Sequence, residues 1–287
     1  MTTRRYFLGA AASLALLAGA APAQAQTDTE HMFGFTEGSD IGGRGERELE
    51  IESVGRFARA AGTYRALASN FLFKQVLSDD WRIAGGGAVA RYDLTGVPGY
   101  DDRNRFAADS LSIEIRRRAL DRASALAGLT LSATPYFGFT DGVSGAPADR
   151  YGIQLTALVD RTLIPQTLFA ALNFTYQPER TSTHLDGATA DSSLFGASGA
   201  AVGRLQRWLY AGGEARYLQT YDGLAFSALA GQTLYLGPVV YVLVAEGVSL
   251  SAAWSVQAWG RAQADTGSLD LTNFERHQVR LRLSIGL

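Results

Sequence analysis

The chain has 287 residues, with 26 Lys and Arg against 28 Asp and Glu, three His and no Cys. The net charge of −2 argues against a nucleic-acid partner, and the lack of Cys removes disulfide staples and thiolate metal sites. Mean hydropathy is close to zero, too low for a bundle of membrane helices but compatible with strands whose apolar and polar residues alternate.

Residues 1–25 read as a secretory signal peptide. Arg4 and Arg5 form the positive start, residues 6–21 are apolar, and Ala23-Gln24-Ala25 is a small-x-small cleavage site. The run Thr3-Arg4-Arg5-Tyr6-Phe7-Leu8 also looks like a twin-arginine leader. Such leaders export prefolded proteins, often with cofactors; no cofactor motif is present, so the match is read as chance. No other segment approaches the ~18 continuous apolar residues of a membrane helix. Residues 26–45 are polar and glycine-rich around Phe33-Gly34-Phe35. They are expected to be a periplasmic lead-in or a short plug in a barrel mouth, ahead of a barrel over residues 46–287.

From there the period is two. In residues 47–59, Leu49, Ile51, Gly55 and Phe57 face one way, and Glu46, Glu48, Glu50, Glu52 and Arg56 the other; a helix would scatter these acids, whereas a strand aligns them. Residues 63–77 carry Leu67, Phe71, Phe73 and Leu77 at one parity. Residues 81–94 form a glycine-rich strand, and 93–105 a long polar loop. Residues 106–119 set Leu111, Ile113 and Ile115 against Ser110, Ser112, Glu114, Arg116 and Arg118. Strands follow over 123–140, 151–161, 167–177, 192–205, 208–221 and 224–236, with long polar loops at 141–150 and 178–191. Residues 239–261 are read as one long strand with a bulge at Glu246-Gly247, after a turn at Gly237-Pro238. Residues 271–287 close the chain, with Val279, Leu281, Leu283, Ile285 and Leu287 alternating with Arg280, Arg282, Ser284 and Gly286.

These elements make an all-β chain: one antiparallel transmembrane β-barrel of about twelve strands (ten to fourteen), with short turns tending to alternate with long loops. Tyr and Trp cluster near the strand ends, as in interfacial girdles. A soluble β-sandwich explains the alternation but not the loop asymmetry. The last residue, Leu287, departs from the Phe that usually ends outer-membrane barrels.

Closure brings the first and last strands together. With the aliphatic parity toward lipid, Glu46, Glu48, Glu50 and Glu52 meet Arg276, Arg280 and Arg282 across the seam, and this pairing is expected to specify closure. Glu114, Arg116 and Arg118 add a second charged stripe in the lumen. No catalytic residue, cofactor or metal ligand is expected. His184, near Asp186 and Asp191, reads as part of a solvated loop. A Ser251/Ser255, His277 and Asn273 set on the outer wall is the remaining catalytic alternative.

The runs Phe33-Gly34-Phe35-Thr36-Glu37-Gly38, Gly45-Glu46-Arg47-Glu48, Gly62-Thr63-Tyr64-Arg65-Ala66 and Ser78-Asp79-Asp80-Trp81-Arg82 resemble an uncharacterised family of proteobacterial outer-membrane barrels over residues 32–105. That resemblance implies a porin- or transporter-type barrel and carries no functional residues. A further likeness, to the small barrel encoded with bacterial cellulose-synthesis genes, rests on glycine-rich strands alone. The expected partners are outer-membrane lipid, the assembly machinery and a small solute. The expected location is the outer membrane of a Gram-negative bacterium, and a sealed structural or polymer-secretion barrel is the alternative function.

Overall fold

A strand with one apolar and one polar face leaves an unpaired backbone edge, and closing the sheet on itself removes that edge. The chain does this. In the computed structural model, which describes residues 28–263 and 267–287, twelve antiparallel strands form a closed barrel. They are β1 Arg47–Phe57, β2 Thr63–Val76, β3 Trp81–Thr95, β4 Arg103–Leu120, β5 Gly128–Thr140, β6 Pro147–Ile164, β7 Leu168–Thr183, β8 Thr189–Arg204, β9 Leu209–Asp222, β10 Ala228–Ala245, β11 Val248–Ala262 and β12 His277–Gly286. Each strand pairs with its chain neighbours, and β1 pairs with β12. The expected signal peptide and the twin-arginine run lie outside the described residues.

The burial pattern is inverted relative to a soluble domain. Leu49, Phe71, Leu111, Ile113, Phe174, Trp254 and Leu281 are exposed on the outer wall, while Glu50, Lys74, Arg82, Arg116, Glu214, Arg280 and Arg282 are buried inside. So wide an apolar exterior around a charged interior suits a wall solvated by lipid. The soluble-sandwich reading fails on this point.

Three sequence expectations are corrected. The long polar loops at 93–105, 141–150 and 178–191 shrink to 96–102, 141–146 and 184–188, because β3, β4, β6, β7 and β8 run on into them. Beyond the lipid both faces meet water, so the apolar alternation fades while the backbone ladder continues; exposed Arg180 and half-buried Asp191 still pair across β7 and β8 at 2.6 Å. Second, Gly237-Pro238 is no turn. Both residues lie inside β10, and Glu246-Gly247 is the hairpin tip, with Gly247 at φ 69°. The ladder from β10 to β11 steps from Leu236–Val256 to Val239–Ala253, so the missing N–H of Pro238 falls where β11 offers no rung. A Cβ on Gly237 would stand 1.8 Å from the Trp254 carbonyl oxygen, so only glycine fits there. Third, β12 starts at His277, and residues 271–276 belong to the preceding loop.

Connections 77–80, 121–127, 165–167, 205–208 and 246–247 lie at the end of the barrel that holds both the start of β1 and the end of β12. Connections 58–62, 96–102, 141–146, 184–188 and 223–227, with residues 263 and 267–276 between β11 and β12, lie at the opposite end.

Candidate functional site: the lumen

Residues 28–42 run inside the barrel and touch every strand, and the exposed residues 43–45 lead out to β1. Glu30 binds Lys74 on β2 at 2.8 Å, and also Arg82 on β3. His31 meets Glu48 on β1 at 3.1 Å and Arg282 on β12 at 3.1 Å. Thr36 reaches Ser198 on β8 at 3.0 Å and Glu214 on β9 at 2.5 Å. The Glu37 amide donates to Asn173 on β7 at 2.7 Å, and the Glu37 carboxylate binds Arg116 on β4 and Arg282, each at 2.5 Å. Ser39 donates to Asp160 on β6 at 2.5 Å and accepts from Thr130 on β5 at 2.5 Å. Met32 and Phe33 fill an apolar pocket with Phe169, Val202, Tyr210, Val239, Tyr241 and Ala253, which brings in β10 and β11. The Phe35 ring lies 3.6 Å from the guanidinium of Arg216.

The segment is therefore held mainly by side chains, charges above all. Burial alone would raise the Glu37 carboxyl, but Arg282 and Arg116 bring it down to about 2. Burial likewise opposes ionisation of Glu30, yet Arg82 and Lys74 hold it well below the carboxylate range. Asp40 differs: burial, helped by the nearby Asp28 charge, pushes it up to about 6 against the pull of Arg122. Glu30, His31 and Glu50 converge closely enough to suggest a metal site. The Lys74 ammonium, 2.8 Å from Glu30 and 2.7 Å from Glu50, already supplies the cation there.

At the seam, Glu52 stands opposite Arg282, and Val54 opposite Arg280. Glu52 binds Arg280, and reaches Arg282 at 3.3 Å; Arg282 also lies 3.7 Å from Glu50. Glu48 lies 2.9 Å from Lys74. Glu114 joins Arg82 and Arg116 at 2.9 and 2.8 Å, and Arg118 donates to the Gly42 carbonyl at 3.3 Å. Two of the sequence-selected charges stand apart. Glu46 precedes β1, is exposed, and accepts from the Gly43 amide at 2.7 Å. Arg276 precedes β12 and is exposed. Each lies just outside the ladder, where strand parity no longer applies.

The Ser/His/Asn set is split by the wall. Ser251 and Ser255 are buried on the inner face, whereas His277 takes the outward position against Trp254, ring centroids 6.0 Å apart. Glu275, two residues before His277, is buried inside and pairs with Arg59 at 3.0 Å. His184 is exposed and pairs with Asp149 at 3.1 Å.

A polar chamber of about 450 Å³ lies between the N-terminal segment and the wall of β4 to β7, reaching β2 and Arg280 of β12. At the end opposite the chain termini, loops fold inward: Arg56 donates to the Gly142 carbonyl at 2.5 Å, Tyr64 to that of Val143 at 3.0 Å, and Arg59 to that of Thr272 at 2.7 Å. Sequence reasoning missed Glu30, His31, Glu37, Lys74 and Arg82. The two cations were available, since Lys74 has the opposite parity to Phe71 and Phe73, and Arg82 the opposite parity to Ile83. The acids of the segment carry no periodic signal.

Barrels of this build, lipid-facing outside and charged inside, define the outer-membrane β-barrel class, and the comparisons agree. The chain belongs to a family of unknown function, DUF6662, matched over residues 25–287. Its fold is similar to the COG4313 outer membrane channel from Pseudomonas putida F1, at 10% identity and TM-score 0.61, covering 87% of this chain and 98% of that one. It is also similar to the beta domain of the Bordetella autotransporter BrkA, at 13% identity and TM-score 0.56, covering 85% of this chain and 100% of that one. No curated protein sequence matches the chain.

Proposed function

We propose that this protein is an outer-membrane channel for a small solute, with residues 28–45 as a plug. The observation that carries this reading is the manner of attachment. The plug crosses a polar lumen on side-chain ion pairs and hydrogen bonds and leaves a chamber of about 450 Å³ beside it. Side-chain contacts can be exchanged without opening the barrel ladder. The likeness to a solved channel supports the fold this reading needs. The mature chain would follow cleavage near Ala25, lipid and the assembly machinery would be its partners, and the end carrying the chain termini would face the periplasm. Within this reading the Glu48, Glu50 and Glu52 ladder and the Arg280 and Arg282 ladder specify closure, and Glu114, Arg116 and Arg118 anchor the plug.

Planar-bilayer recording tests the proposal. A variant lacking residues 28–44 is expected to conduct steadily, at least about tenfold above the full chain, as a water-filled polar lumen does. A second reading, a sealed barrel with a structural, envelope-assembly or secretion role, draws on the inward-folded loops around Arg56, Tyr64 and Arg59. Silence from both proteins would favour that reading and remove the channel.

A further inference from the structure

We infer that the lumen chamber is a binding site for an uncharged, polyhydroxylated solute of sugar size. The inference rests on the channel reading for its biological setting, but the site itself can be tested without transport.

The groups that the chamber leaves unpaired decide what it can hold. Its charged groups already have partners. Lys74 binds Glu50 at 2.7 Å, Arg116 binds Glu37 at 2.5 Å, Arg150 binds Asp109 at 3.1 Å, and Arg280 binds Glu37 at 2.8 Å. A charged solute would have to break one of these pairs or enter without a counter-ion, and either costs free energy where the lining charges are already paired. The uncharged groups are different. Ser132, Thr156 and Thr175 occupy one rung across β5, β6 and β7, since Ser132 pairs with Thr156 and Thr156 with Thr175 in register. Their contacts are weak: Thr156 and Thr175 are 3.3 Å apart, and Ser132 is 3.5 Å from Glu114. Ser112 and Thr134, on the same inner face, have no side-chain hydrogen bond among the described residues.

Serine and threonine hydroxyls both donate and accept, as sugar hydroxyls do. An array of them matches a polyol without demanding a fixed charge. The volume, about 450 Å³, falls in the range of small-molecule sites. Tyr136 adds an aromatic edge to the same wall. Gly152 makes room for it, since a Cβ there would lie 2.3 Å from the tyrosine ring.

The test uses the full barrel in detergent and saturation-transfer NMR with three probes that share a ring and differ in charge: glucose, glucuronate and glucosamine. Glucose is expected to bind at least about fivefold more tightly than either charged sugar. Replacing Ser132, Thr156 and Thr175 with Val should weaken glucose about fivefold for each hydroxyl that bonds it, with heat-modifiable mobility confirming that the variant is folded. No glucose signal, or equal or tighter binding of a charged sugar, overturns the inference. Full glucose binding by the folded triple variant does so too. Glucose binding by a barrel whose plug-deleted form does not conduct would sink the channel reading and leave this site standing.

Discussion

Arg282 is 1% exposed and lies among Glu37, Glu50, Glu52 and His31. Removing one partner from a buried charge network costs on the order of 3–5 kcal/mol, since the remaining charges stay desolvated. Arg282→Glu should therefore lower the urea midpoint of the folded barrel, and reversing Arg280 as well should reduce outer-membrane yield and heat-modifiable mobility. A wild-type midpoint and yield in the double variant would remove the seam as a closure device. Glu37 sets a pH dependence. Its folded value of about 2 lies below its ordinary 4.5, so its ionised form stabilises the fold above pH 4.5, and that contribution fades as pH falls toward 2. Thermal unfolding between pH 5 and 2 should show a loss that Glu37→Gln flattens; identical profiles would rule out this role. Arg282 was legible in the sequence because strand parity turns it inward. Glu37 was not, because an irregular segment inside a barrel has no period.

Among the elements, β10 departs most from its sequence reading. Gly237-Pro238 carries the composition of a turn, yet the strand passes straight through and turns at Glu246-Gly247. The reason lies on β11: the Trp254 carbonyl presses where a Cβ on residue 237 would be, 1.8 Å away. Glycine is required by a neighbour that is remote in the sequence. Gly237→Ala must push β10 and β11 apart and should cost more than Gly247→Ala, whose positive-φ strain amounts to about 1–2 kcal/mol. Urea unfolding of the two variants side by side checks the order, and the reverse order would contradict the packing argument. The strand extensions into 93–105, 141–150 and 178–191 were hidden for a related reason: pairing there depends on the adjacent strand, not on an apolar face.

For the whole molecule, the outer wall decides the setting. Ile113 is 59% exposed, and Ser112 beside it lines the lumen. In a bilayer, Ile113→Arg should cost about 2–4 kcal/mol if it sits near the midplane, whereas arginine on the lumen side meets water. Unfolding from liposomes measures this, and a neutral Ile113→Arg would argue against a lipid-facing wall. The lumen, by contrast, is filled from both ends. The N-terminal segment occupies it beside the start of β1, and residues 141–146 and 267–276 fold over it at the other end.

The sequence by itself determined the all-β class, a strand number near twelve, which face of each strand meets lipid, and that the first and last strands carry opposite charges. These are local or parity properties, readable because side chains alternate strictly along a strand. The tertiary structure alone decided what fills the barrel. The path of residues 28–45, their ties to all twelve strands and the chamber left beside them depend on contacts between residues as far apart as Glu37 and Arg282. Such contacts follow from the shape of the closed lumen, and a one-dimensional pattern does not encode that shape.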